Sequence, residues 1–142
     1  AFTSGQMCSA AYWLSASASG IFVTPTAEVG SIGVLLPVID QVKRFEMLGY
    51  KVEVIKAGKY KGSGMPGTAL TEDSKDLLQK QVNAIHTDFK SHVTQFRPVD
   101  DALMQGQTFS GKEATSNGLA DGFARNLSDV MKYHREQTKG KQ

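Results

Sequence analysis

Residues 7–13 read MCSAAYW, and residues 14–20 continue as LSASASG. A single hydroxyl, that of Ser9, stands at the head of a run dominated by alanine and serine. The spacing predicts a helix over Ser9–Ser19, and its small side chains let the backbone pack closely against a neighbour. Ala1–Thr3 fits the end of a strand. IFVT, Ile21–Thr24, is a short apolar strand stopped by Pro25. Ser9 therefore falls where a strand end becomes a helix start. There, free backbone N–H groups point at whatever the hydroxyl attacks, a geometry able to stabilise an oxyanion. The competing reading is a serine that only caps its helix.

Strand and helix signals alternate outward from this stretch. SIGVLLPVI, Ser31–Ile39, is nearly all apolar and predicts a strand buried on both faces. Val42–Leu48 predicts a short helix stopped at Gly49. KVEVIKA, Lys51–Ala57, alternates and predicts a strand. Gly58–Leu70 is glycine-rich and reads as a long irregular loop, a kind that is usually functional or mobile. Thr71 is placed to cap the longest helix, with Glu72 and Asp73 where their charge suits its dipole. Leu78, Val82, Ile85, Phe89, Val93 and Phe96 form one apolar stripe, and Pro98 marks the end. A short helix near Asp100–Met104 and a brief strand or turn at QTFSG follow. Ser110 and Glu113 make a capping box, Asn117-Gly118 closes its helix, and Leu127–Arg135 predicts a last helix. The alternation argues for an α/β domain.

Composition narrows the function classes. The chain has 142 residues, enough for one domain with a core, and one cysteine, too few for a disulfide framework or a multi-cysteine metal site. No apolar run reaches the ~18–20 residues of a membrane span. The net charge of +2 is concentrated in residues 132–142, which hold four basic residues and one acid. That segment is predicted to be a solvated, disordered basic tail behind a body of residues 1–131, and no nucleic-acid face is expected.

Familiar catalytic patterns are mostly missing. His86 and His92 lie six apart and off a common helix face, so they and His134 read as surface histidines. No G-x-S-x-G or S-x-x-K is present. Gly106–Lys112 fits G-x-x-x-x-G-K, but Glu113 stands where Ser or Thr should hold magnesium, and the capping box explains it. Cys8 could be a reactive thiol at a helix start, but it reads better as a small buried filler. A base for Ser9 must then come from elsewhere. A lysine can serve if its ordinary pKa of about 10.4 falls by ~2–3 units, which desolvation achieves. Lys56, Lys59 and Lys61 are the candidates in or beside the glycine-rich loop.

CSAAYWLSASASGIFVTPTAEVGSIGV, residues 8–34, resembles the nucleophile segment of the signal peptide peptidase A family of serine peptidases, which includes phage capsid-maturation proteases. The matching residues are Ser9, Ala10, Ala11, Tyr12, Trp13, Pro25, Thr26, Gly30, Ser31, Ile32 and Gly33. KAGKYKGSGMPGTALTED is similar to the family's lysine loop, and Gly58-Lys59-Tyr60-Lys61 selects Lys61. GQTFSGKEATSNGLADGF resembles its closing motif. The resemblance covers nearly everything before the tail.

The resemblance implies a Clp-protease/crotonase superfold of stacked ββα units whose N-terminal portion lies outside this chain. It implies Ser9 as nucleophile, Lys61 as general base, Ser31 hydrogen-bonding the lysine, and the Ala10 N–H as one oxyanion donor, with the second donor outside these residues. The expected substrate is a peptide or unfolded protein: signal-peptide remnants, membrane-protein fragments or scaffold proteins. A homo-oligomer sharing the dyad between subunits is expected, with no cofactor and no metal. Membrane association through a preceding segment places it at the bacterial cell envelope, with phage capsid assembly as the alternative. A catalytically silent ring- or capsid-assembly subunit is the competing function; a crotonase-type acyl-CoA enzyme would leave Lys61 unexplained.

Overall fold

A computed structural model describes residues 1–139, which divide into two compact units: Ala1–Val34 with the chain from His86 onward, and Leu35–Ile85. The first unit is mixed α/β. One sheet has the order β1 (Phe2–Thr3), β3 (Phe22–Val23), β6 (Gly122–Phe123), all parallel. The other has the order β2 (Gln6–Cys8), β4 (Glu28–Gly30), β5 (Thr108–Ser110), with β2 and β4 parallel and β5 antiparallel. The β1–β2 pair is thus followed by a parallel copy, β3–β4, with α1 (Ala10–Ala16) between them.

The small-residue helix packs as its composition requires. Tyr12 and Ala16 are fully buried with Ile21, Val23, Val29, Ile32, Phe89 and Val93. Each such aliphatic or aromatic side chain contributes about 1.5–3 kcal/mol by leaving water. The Tyr12 hydroxyl donates to Leu119 O at 2.9 Å, so the ring's polar tip is satisfied, and burial pushes its pKa well above the phenol range. Trp13 stacks on Phe89 of α3 (Glu72–Phe96), ring centroids 4.4 Å apart.

Arg97, 7% exposed, holds the other end of α1. Its guanidinium donates to Ala16 O and Ala18 O and pairs with Asp121 at 2.6 Å; the same Asp121 oxygen accepts from Ile21 N–H. One buried cation thereby satisfies carbonyls that the helix end leaves unpaired. Gly111, first residue of α4 (Gly111–Ser116), sits so close to β3 that a Cβ would lie 2.0 Å from Thr24 O. Gly111→Ala is expected to cost about 2–4 kcal/mol, because backbone rather than a flexible side chain must move. A urea titration that leaves the midpoint unchanged would contradict that packing.

The helices and caps follow the sequence closely. In the second unit, α2 (Val42–Met47) stops at Gly49, whose φ is +77°. Thr71 Oγ1 accepts from Ser74 N–H at 3.3 Å at the head of α3. Ser110 and Glu113 form the reciprocal capping box, which removes the phosphate-loop reading. The Ser110 hydroxyl and N–H hold the Glu113 carboxyl below its usual range.

Four expectations are corrected. Residues 31–39 and 51–57 form no strand, and Leu35, Ile39 and Ile55 are 83%, 69% and 102% exposed. Their apolar runs suggested burial, but no neighbouring strand covers them among the described residues. The α3 stripe is buried only at Phe89 and Val93; Ile85 and Phe96 are about half exposed. His86 and His92 are half-buried rather than on the surface: His86 Nε2 lies 2.8 Å from Met104 O, and the His92 ring lies against Trp13 and Phe96. The last helix, α5 (Leu127–Lys139), runs through most of the segment expected to be a disordered tail; residues 140–142 lie outside the described residues.

Candidate active site

β2 and β4 run parallel and in register, with Cys8 opposite Gly30. The next residue on each strand is a serine, Ser9 and Ser31, and these are the two described non-glycine residues with positive φ, +54° and +50°. The Ser9 N–H extends the ladder to Gly30 O at 2.9 Å, and the Ser31 N–H donates to Gln107 O at 2.7 Å. Both serines thus leave the carboxyl end of the same sheet, the end at which α/β folds gather ligands.

Ser9 has ψ −124°, outside the helical and left-handed wells, a conformation costing a residue with a Cβ about 1–3 kcal/mol. It joins β2 to α1, so the hydroxyl stands on a sharp strand-to-helix turn. It makes no capping bond to α1. The cap reading therefore fails, and the residue is exposed. Ala10 follows as the first residue of α1, where N–H groups have no partner within the helix. Glycine would meet the backbone geometry at position 9 without strain.

Cys8 is half-buried rather than buried, its thiol donating to Glu28 O at 3.5 Å. Burial, then the Glu28 charge, pushes the thiol pKa up. Alkylation by iodoacetamide at pH 7.5 is expected to be slower than that of free cysteine, since the thiolate is the nucleophile. A faster rate, followed by mass, would contradict this environment.

Lys61 belongs to the second unit. It closes a turn by donating its N–H to Gly58 O at 3.2 Å, between Gly58 at φ +94° and Gly62 at φ +82°. Its neighbours line a cavity of about 250 Å³ that includes Lys56, Lys59, Ser63, Thr71 and Ser74. Lys56 Nζ donates to Lys59 O at 2.9 Å, and Lys59 is ion-paired with Asp73. That pairing raises the Lys59 pKa and lowers that of Asp73. Among the described residues the Lys61 ammonium has no hydrogen-bond or ion partner, so of the three candidate lysines it alone is uncommitted.

The site as read from the sequence is thus found in two pieces: Ser9, Ala10 and Ser31 in the first unit, and Lys61 in the second. Sequence reasoning missed Arg97 and Asp121, which together with Tyr12 of the quoted segment fix α1 behind Ser9. The signal was a lone arginine at a helix end beside a proline. No group of metal-ligating side chains occurs among the described residues.

The profile of peptidase family S49 matches residues 1–140. A Methanocaldococcus jannaschii protein is 35% identical over 124 residues, 84% of this chain and 40% of its own. The capsid assembly protease C of Escherichia phage lambda is 30% identical over 139 residues, 96% of this chain and 31% of its own. The chloroplastic serine protease SPPA of Arabidopsis thaliana is 30% identical over 118 residues, 80% of this chain and 17% of its own. The chain therefore spans well under half the length of these relatives. No described helix is long and apolar enough to cross a membrane. A strained serine on a strand-to-helix turn, a glycine-rich lysine loop and a match over residues 1–140 lead to one conclusion: the chain belongs to peptidase family S49, a family of serine peptidases.

Proposed function

We propose that this chain carries the nucleophile and base of a serine endopeptidase. Ser9 Oγ attacks a peptide carbonyl while Lys61 Nζ takes its proton. The Ala10 N–H helps hold the developing oxyanion, and Ser31 hydrogen-bonds the lysine. The amine leaves with a proton, and water then cleaves the acyl-serine ester. The observation that carries the proposal is the strained backbone of Ser9, combined with a hydroxyl that does not cap its helix.

The β1–β2–α1 unit followed by the parallel β3–β4 pair supports the stacked ββα superfold of Clp proteases and crotonases. Lys61 is exposed in the single chain. Cover from a neighbouring copy would strip water from its amine, the condition under which a lysine works as a base; this favours a dyad shared between subunits. The substrates are unfolded or fragmentary polypeptides: signal-peptide remnants, membrane-protein fragments or scaffold proteins. The first two place the enzyme at a bacterial envelope. The lambda relative, a capsid assembly protease by name, keeps scaffold cleavage during phage assembly as the alternative.

The test is hydrolysis of an unstructured polypeptide library by the full-length protein, with products sequenced by mass spectrometry. Internal cleavage is expected. A well-folded full-length oligomer that cleaves nothing would instead support the silent assembly subunit.

A further inference from the structure

The lysine loop has a feature that the dyad itself does not require. The first turn of α3 grips it on both sides of Lys61. Two residues before Lys61, the Lys59 ammonium is ion-paired with Asp73. Two residues after it, the Ser63 hydroxyl donates to Ser74 Oγ at 2.9 Å, within hydrogen-bond reach also of Tyr60 O at 2.9 Å. Ser74 is 8% exposed, and Thr71 Oγ1 lies 2.9 Å from the same hydroxyl oxygen. Lys56 adds a third tether at Lys59 O.

These contacts join a flexible element to a rigid one. Gly58, Gly62, Gly64 and Gly67 all have positive φ, so the loop lies in conformations that glycine reaches easily and leaves easily. An exposed ion pair such as Lys59–Asp73 adds little to global stability. It can still select one loop arrangement among several of similar energy. We infer that Asp73 and Ser74 are positioning residues for Lys61, holding Lys59 and Ser63 so that the amine between them keeps one placement. The inference rests on the reading of Lys61 as the general base. It goes beyond that reading by assigning the loop's geometry to the start of a helix that takes no part in the chemistry.

The test uses the full-length protein and steady-state cleavage of a fluorogenic peptide. Asp73→Asn and Ser63→Ala each break one tether at a site outside the core. Each is expected to lower kcat, and the double variant to lower it by about 10–100-fold, the loss typical of a reacting group displaced by about 1 Å. KM should stay within about twofold, because the tethers do not bind substrate. The charge-swapped pair Lys59→Asp with Asp73→Lys should restore most of what Asp73→Asn loses. A merely structural role would lower the thermal midpoint along with activity and gain nothing from the swap. Unchanged kcat in the double variant, while Lys61→Ala is inactive, would overturn the positioning role and leave the base intact. Full activity in Lys61→Ala would overturn the base and the positioning role together.

Discussion

Ser9→Ala in the full-length protein is expected to lower peptide cleavage by at least about 10⁴-fold without loosening the fold. Removing the nucleophile of a serine peptidase costs on the order of 10⁶-fold in kcat, and residual binding sets the floor. Folding should survive because the Ser9 hydroxyl makes no capping bond to α1, and Tyr12 and Arg97 hold the helix independently. Ser9→Gly sharpens the prediction. At φ +54° a glycine removes the Cβ penalty, so the variant should be equally inactive yet more stable by about 1 kcal/mol. A site kept for packing would show the reverse: activity retained and stability lost. Chemical denaturation read beside turnover separates the two, and cleavage surviving Ser9→Ala would end the nucleophile assignment.

Lys61→Arg is expected to be as damaging as Lys61→Ala, each lowering kcat by about 10³-fold or more, the range for general-base loss in a unit that acts together. The reason is chemical. Arginine keeps the positive charge and most of the length but does not give up its proton in a protein. A lysine that only attracted substrate by charge would tolerate the change. Lys56→Arg and Lys59→Arg should be mild, since Lys56 donates to a carbonyl and Lys59 pairs with a carboxylate, tasks that a guanidinium also performs. Rate measurements on the four variants distinguish base from tether. Appreciable activity in Lys61→Arg would move the base elsewhere.

The sequence was most legible where local chemistry decides structure. The Thr71 cap, the Ser110–Glu113 box and the Gly49 stop all depend on residues within a few positions of each other, and all formed. The position of Ser9 at a strand-to-helix junction was legible for the same reason. Strands were harder to read because pairing is a distant affair. β6 at Gly122–Phe123 is two residues long and gives no periodicity, whereas residues 31–39 have a strand's composition with no strand among the described residues to pair. The positive-φ backbone of Ser9 and Ser31 left no trace in composition, since nothing marks a serine as strained until its neighbours hold it. The Arg97–Asp121 pair spans 24 residues and joins the ends of several elements, so a local pattern could mark Arg97 but not its partner.

The most direct measurement is the site of acylation. The full-length protein would be mixed with an activated ester of a blocked peptide, quenched in acid, digested and mapped by mass spectrometry. The account predicts one acyl group on the Oγ of Ser9, absent in Ser9→Ala and greatly slowed in Lys61→Ala. An acyl group on any other side chain, or turnover with Ser9 never modified, would contradict it.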